Sequence, residues 1–360
     1  MSESSWIRVN GKTYSLDELK RLLFESDLSD FEKSTLKFCH DWLNGQQEFT
    51  IQTSGSTGTP KPIVLHRTQM EASARQTIDA LELKRSETAL VCLDTKYIAG
   101  QMMLVRSLIV GMNIIAVAPC SNPFDKTGGD QVDFVALVPY QLENIIEYSL
   151  EKLNQVRCAI IGGAAISYSL KGKIKKCSCA LFATYGMTET ISHIALQQLN
   201  GKNPRDEFEA FPTISLRLDN RGCLCIKANY LEEEIITNDL VEIIAGRKFK
   251  WLGRIDHIIN SGGIKIIPEK VELIFEKIFD QFQIKNRFFI TGLENERLGN
   301  QVTIVIEGVA LNKESQKEIL TEAGQTLNKY ELPKEFIFIN SFKETATGKI
   351  NRSATVASIP

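Results

Sequence analysis

Residues 6–14 alternate apolar and polar side chains about Asn10 and Gly11, which predicts a short hairpin turning at that dipeptide. Two capping-box signatures follow. Ser15 with Glu18 opens a helix with Leu16, Leu19, Leu22 and Leu23 on one face, and Ser29 with Glu32 opens a second carrying Phe31, Leu36, Phe38 and Leu43. A third helix is expected from 68 to about 83. The period then switches back and forth. Strands are expected at 89–93, 114–118, 134–138 and 159–161, with helices over Ile98–Val110 and through Ile145 and Tyr148. Such alternation is the signature of a layered α/β domain.

Beyond Ile214 short strands dominate, at 215–218, 224–227, 241–244 and 249–252, and predict a small β-rich part. After Asp256 the pattern changes again. Pro268 suits the first turn of a helix through Val271, Ile274, Phe275 and Ile278, and strands at 288–290, 302–306 and 336–339 flank a helix over 313–327. The expected fold class is α/β. A large N-terminal layered α/β domain covers 1–255, divided into a leading segment 1–52, a core 53–210 and a β subdomain 211–255; an α+β domain covers 256–360.

Composition narrows the field. A chain of 360 residues can hold two or three cored domains, and 43% hydrophobic with 24% charged residues is ordinary for a globular protein. A net charge of −2 supplies no field for nucleic acid or an anionic membrane. The first ten residues are polar and lack a signal-peptide core, and the apolar run 108–119 is broken by Gly111 and Asn113 and too short to span a bilayer. The expectation is a cytoplasmic protein with no nucleic-acid partner and no membrane insertion. Eight cysteines include the C-x-C pairs Cys177/Cys179 and Cys223/Cys225, closer than zinc sites use, and they read as buried thiols of a reducing compartment. His40, His66, His193 and His257 show no triad or metal spacing and read as structural.

The first stretch with chemistry is Thr53, Ser54, Gly55, Ser56, Thr57, Gly58, Thr59, Pro60 and Lys61, set between two strand-like runs. Glycines three apart permit positive φ and present successive N–H groups, while hydroxyls and a lysine add donors, so the loop suits a polyphosphate. It is not a Walker A loop, because Pro62 follows Lys61 and an apolar strand comes next rather than a helix. Four further stretches accompany it. Gly162, Gly163 and Ala164 end one strand, and Thr184, Tyr185, Gly186, Met187, Thr188 and Glu189 end another. Gly253 to Asp256 is followed by Ser261, Gly262, Gly263, Ile264 and Lys265, and Thr347, Gly348 and Lys349 lie near the end.

In this order the five stretches closely resemble the acyl-adenylate-forming enzymes: acyl-CoA synthetases, peptide-synthetase adenylation domains and luciferases. The resemblance implies attack of a carboxylate on ATP to give acyl-AMP, then transfer of the acyl group to a thiol, usually that of CoA. It implies that residues 53–61 hold the β and γ phosphates, that Gly162, Gly163 and Ala164 lie against adenine, and that Tyr185, between Thr184 and Gly186, stacks on it. Thr188 would bond the α-phosphate and Glu189 would bind Mg²⁺. Asp239 and Arg254 would bond the ribose, with Asn238 standing where the family's usual glycine is. Lys349 would bridge the acyl carboxylate and the α-phosphate, stabilising charge on phosphorus. The last domain would be mobile and swing about Asp256, bringing Lys349 to the phosphate or the Gly262-Gly263 loop to a CoA tunnel.

Residues 94–106 suggest the acid. Tyr97, Ile98, Ala99, Gly100, Gln101 and then Arg106 resemble the o-succinylbenzoate–CoA ligases of menaquinone synthesis, where the resemblance gives the arginine a carboxylate of the substrate. An arginine on a mostly apolar helix must meet an anion or point outward, and Tyr97 at the loop–helix junction would line the acid. An internal salt bridge or a helix cap for Arg106 also stays open. Two departures bear on the reading. Only 52 residues precede the first loop, fewer than family members carry, so a whole N-terminal subdomain that helps wall the CoA and acyl sites is expected to be missing and a homodimer could cover that flank. Ile264 and Lys265 also replace the commoner Glu and Asn, which leaves the thiol step less supported than adenylation. Another aryl- or acyl-CoA ligase, an adenylation enzyme loading a carrier protein, and a non-catalytic nucleotide-binding remnant remain as alternatives.

Overall fold

The structure is a computed structural model that describes residues 5–24, 27–52, 62–345 and 349–359. The chain forms two compact units. The first holds the residues up to Ile166, Lys173–Ser215 and Lys227–Ile235, and the second holds Ser167–Gly172, Leu216–Ile226 and the chain from Ile236.

The first unit opens with strands β1 (Trp6–Val9) and β2 (Lys12–Ser15), paired antiparallel with Val9 opposite Lys12. The turn works as the pattern predicts, because Asn10 and Gly11 both take positive φ, 44° and 91°. Both capping boxes form, at the starts of α1 (Leu16–Lys20) and α2 (Asp30–Leu43). The first helix is shorter than its apolar face suggests. It is capped at Arg21, so Leu23 falls beyond it and is 87% exposed. Strands β3 (Glu48–Gln52) and β4 (Pro62–His66) pair antiparallel up to Gln52 opposite Pro62. The candidate phosphate loop, Thr53, Ser54, Gly55, Ser56, Thr57, Gly58 and Lys61 included, lies between them and outside the described residues. Strand β3 packs on α2. Phe38, Trp42 and Phe49 pack with ring centroids 5.0–6.0 Å apart, and the Arg67 guanidinium sits 4.1 Å over Trp42, contacts worth about 0.5–1.5 kcal/mol each beyond burial.

Then come α3 (Arg67–Leu81), β5 (Thr88–Val91), α4 (Ile98–Val110), β6 (Asn113–Ala116), β7 (Phe134–Leu137), α5 (Pro139–Tyr148), α6 (Leu150–Gln155), β8 (Cys158–Ile161), α7 (Tyr168–Ile174, most of which is assigned to the second unit), β9 (Ala180–Gly186), β10 (His193–Gln198) and β11 (Phe208–Ala210). The strands of this unit form a sheet in the order β11-β10-β9-β8-β7-β5-β6-β1-β2. Neighbours from β9 to β1 run parallel, and β10, β11 and β2 add antiparallel edges. The parallel strands are buried throughout, for example Phe134 to Leu137, as continuous apolar runs in such sheets must be. Helix α4 is apolar on nearly every side, and Met102, Met103, Leu104 and Val105 are fully buried.

In the second unit β12 (Ile214–Leu218), β13 (Cys223–Ala228), β14 (Ile235–Ala245) and β15 (Lys248–Arg254) neighbour one another in that order. A second sheet combines β16 (Ile259–Ser261), β17 (Ile264–Ile266), β18 (Phe288–Asn295), β19 (Gly299–Glu307) and β20 (Glu335–Ile339) in the order β17-β16-β19-β18, with β20 parallel to β19. Helices α8 (Pro268–Gln281), α9 (Lys313–Ala323) and α10 (Arg352–Val356) accompany it. Pro268 stands in the first turn of α8, and Val271, Phe275 and Ile278 are buried against Ile290, Ile304 and Ile319. All eight cysteines are free thiols rather than disulfides, and every one but Cys120 is buried. No helix among the described residues is long and apolar enough to cross a membrane.

Candidate active site

In the first unit, parallel β8 and β9 bring two of the predicted stretches side by side. Ile161 pairs with Ala183, so Gly162, Gly163 and Ala164 leave one strand next to Thr184, Tyr185 and Gly186 at the end of the other. Contact there is close. Thr184 Oγ1 donates to Ile161 O at 3.2 Å, and a Cβ on Gly162 would fall on Thr184 Oγ1. Gly163 has φ 86°, which a side chain would resist. The half-buried Tyr185 ring lies 5.8 Å from Phe208. Thr188 and Glu189 follow in a single 3-10 turn over Thr188–Thr190. Neither side chain bonds another described residue. An exposed carboxylate such as Glu189, bonded to no other described residue, fits Mg²⁺, which takes one or two carboxylates and completes its shell with water and phosphate oxygens.

That 3-10 turn ends in a strained residue. Ile191 has φ 68° and ψ −49°, a region β-branched residues avoid at a cost of about 1–3 kcal/mol. Thr190 Oγ1 fixes the conformation by donating to Ser192 O at 2.7 Å. Gly186 accommodates it, since a Cβ there would collide with Ser192 O and His193 Cα. The chain thereby returns Ser192 and His193 to α4.

On α4 stands Arg106, 2% exposed. Its Nη2 donates to Ser192 Oγ at 2.5 Å and lies 3.5 Å from His193 Nδ1, while its buried Nε has no acceptor among the described residues. No carboxylate pairs with it among the described residues. Burial lowers its pKa from the ordinary 12.5 to about 9. His193 in turn meets Thr77 Oγ1 of α3 through Nε2 at 3.0 Å and is held well below the usual histidine range by burial and by Arg106. From the sequence alone His193 reads as structural, and Ser192 does not stand out. Their position just after the Thr188-Glu189 stretch was the only available signal. Tyr97 is the half-buried N-cap of α4.

The remaining candidates belong to the second unit. Asp239 and Arg254 stand opposite each other on β14 and β15. Asp239 accepts from Trp251 Nε1 at 3.1 Å. Arg254 donates to both oxygens of Asp256, at 2.9 and 2.8 Å. Burial alone would raise the Asp256 carboxyl, but those hydrogen bonds and the Arg254 charge outweigh it and leave it lowered. The proposed ribose and hinge residues are thus tied together. Gly262 and Gly263 form the two-residue turn between β16 and β17 with φ 57° and 81°, a turn that demands positive φ at both positions. Lys349 closes a loop in which Thr345 N donates to Lys349 O at 2.8 Å. Its ammonium bonds no described residue, and partial desolvation lowers its pKa although the side chain is exposed.

Ligands of open α/β sheets bind beyond the carboxyl ends of parallel strands, which is where β8 and β9 place these loops. The chain belongs to the AMP-binding enzyme family, whose pattern matches residues 23–220, more than half its length. Similar proteins include the 2-succinylbenzoate–CoA ligase of Staphylococcus aureus strain MSSA476, 24% identical over 84% of this chain and 65% of the relative. The chain therefore spans just under two thirds of the length of such curated relatives. An acyl-CoA synthetase (AMP-forming)/AMP-acid ligase II-like protein from Dyadobacter fermentans, known from its crystal structure, is 36% identical with a TM-score of 0.62, over 94% of this chain and 97% of that one. The O-succinylbenzoate Coenzyme A synthetase of Bacillus subtilis, solved with ATP and magnesium ion, shares the fold with a TM-score of 0.74 at 20% identity, over 85% of this chain and 69% of that one.

Proposed function

We propose that this protein is an AMP-forming acid–thiol ligase. It activates an aromatic dicarboxylic acid with ATP and passes the acyl group to CoA, with o-succinylbenzoate as the favoured acid and menaquinone synthesis as the setting. Family membership supports the adenylation half. The observation that carries the choice of acid is Arg106, a guanidinium buried with no carboxylate beside it among the described residues. Burying a charge is costly unless it is paired, and a substrate carboxylate supplies the pair in bidentate form. The other carboxyl group is then left for ATP, and Tyr97 lines the acid.

In this reading Thr53, Ser54, Gly55, Ser56, Thr57, Gly58 and Lys61 hold the outer phosphates, and Gly162, Gly163, Ala164, Thr184, Tyr185 and Gly186 take adenine. Thr188 donates to the α-phosphate. Mg²⁺ at Glu189 would neutralise phosphate charge. Asp239 and Arg254 take the ribose, Lys349 bridges the reacting carboxylate and phosphate, residues 256–360 swing about Asp256, and the Gly262-Gly263 turn meets CoA. Eight cysteines held as thiols, seven of them buried, support a reducing, cytoplasmic setting. A homodimer is proposed to complete the acyl site.

The test is ATP–pyrophosphate exchange over a panel of carboxylic acids, followed by acyl-CoA formation with CoA present. Preferential exchange with o-succinylbenzoate over benzoate is expected. Exchange with plain monocarboxylic acids alone would remove the assigned acid, and exchange without acyl-CoA product would move the second step to another thiol.

A further inference from the structure

Arg106 can serve as a carboxylate receptor only if its fork is held still, and a lone arginine on an apolar helix has several rotamers. The neighbours that restrain it come from three places: Ser192 and His193 after the Ile191 turn, and Thr77 on α3 behind the imidazole. One set of proton positions satisfies all of these atoms. A guanidinium has donors only, so in a hydrogen bond between Arg106 Nη2 and His193 Nδ1, 3.5 Å apart, the imidazole nitrogen accepts; Ser192 Oγ lies 3.4 Å from the same nitrogen. That tautomer carries its ring proton on Nε2, 3.0 Å from Thr77 Oγ1, which can accept it. The groups facing the ring are Arg106 from α4, Thr77 from α3, adjacent Ser192, and the Phe211 ring at 5.5 Å. None of these is anionic, so no described residue there stabilises an imidazolium, and burial and the Arg106 charge both disfavour one.

We propose that His193, as its Nε2–H tautomer anchored to Thr77, is the positioning residue that fixes the Arg106 guanidinium to receive a carboxylate of the acid. The imidazole touches no reacting atom. It acts by holding Nη2 from one side so that the rest of the fork, including the unpartnered Nε, faces the anion. This rests on the proposed reading of Arg106 as the substrate's carboxylate receptor.

Two measurements on the full chain test it. Long-range ¹H–¹⁵N correlation of the His193 ring should show an unprotonated Nδ1 and a protonated Nε2 across roughly pH 6–8, the range where an ordinary histidine titrates. A protonated Nδ1 or an imidazolium would overturn the proposal whatever the substrate proves to be. In ATP–pyrophosphate exchange, His193→Ala should raise KM for o-succinylbenzoate on the order of ten-fold, the scale of one lost charged hydrogen bond. It should leave kcat, and both constants for benzoate, near wild type. His193→Asn, whose Oδ1 offers an acceptor toward Arg106, should recover much of the loss. Equal losses on both acids, or no recovery in His193→Asn, would make His193 a packing residue and sink the inference. If wild-type protein shows no preference for a dicarboxylic acid, it is the reading of Arg106 that fails, and the tautomer result identifies which of the two was wrong.

Discussion

Replacing Arg106 by Met should make the protein more stable and less useful. The fall in Arg106 pKa from 12.5 to about 9 corresponds, at about 1.4 kcal/mol per factor of ten in proton affinity, to roughly 5 kcal/mol of unfavourable burial. Because the folded value lies below the unfolded one, this cost is fully present below about pH 9 and eases only as pH rises through that range. The hydrogen bond to Ser192 offsets a third to three-fifths of it, on the order of 1.5–3 kcal/mol for a charged donor. Methionine fills similar length without charge, so Arg106→Met should gain about 1–4 kcal/mol, in line with replacing buried charges by apolar residues. A gain of that size raises Tm by several degrees in a domain of about 150–250 residues. Because the chain has two units, unfolding should be followed in a Trp251→Phe background, where the remaining tryptophans, Trp6 and Trp42, both report the first unit. Exchange with o-succinylbenzoate should fall at least ten-fold in kcat/KM, with benzoate little affected. A variant that loses more than about 1 kcal/mol and loses both acids equally would show that Arg106 holds the fold together, and the substrate argument would fail.

Two more perturbations address the second unit. Lys349→Ala should lower acyl-AMP formation by about a hundred-fold, the scale of one preorganised charge-stabilising donor, and should leave thioester formation from supplied acyl-AMP intact; unchanged exchange would remove Lys349 from the chemistry. Glu307 accepts from Arg287 Nε at 2.7 Å and Nη2 at 2.8 Å and from Phe342 N at 2.8 Å, and chiefly the Arg287 hydrogen bonds hold its carboxyl below the ordinary 4.5. A lowered carboxylate adds stability above its unfolded pKa and loses it as pH falls through the folded one, so urea midpoints should drop below about pH 4.5, and Glu307→Gln should flatten that acid limb.

The sequence made the long, strongly periodic elements plain and hid the short ones. Helix α4 and the parallel strands were readable because burial on all sides leaves an unbroken apolar run, as in Met102 to Val105. The hairpin at Asn10-Gly11 and both capping boxes were readable because their chemistry is local. Strands β11, β16 and β17, three residues each, have no period to detect. Leu23 misled because an apolar face says nothing about where a helix is capped. At the candidate site the sequence pointed to Arg106, but not to Ser192 and His193. Their placement depends on Ile191 adopting a conformation that its own residue type argues against.

That last point separates the motifs physically. The run from Gly186 to His193 breaks local rules repeatedly. A β-branched residue sits at positive φ, a glycine is required for backbone clearance rather than for a turn, and the segment delivers its side chains to an unpaired buried cation. Each feature costs of order 1–3 kcal/mol or more in a molecule whose whole stability margin is about 5–15 kcal/mol, and the fully buried side chains of α4 offset that cost. Strain of this kind persists where a site needs it. Gly262 and Gly263 differ. Once the β16–β17 hairpin is seen, the turn alone requires both glycines, so their backbone gives no independent reason to place a ligand there. On physical grounds the stronger claim to chemistry lies with the Ile191 turn and the guanidinium it serves.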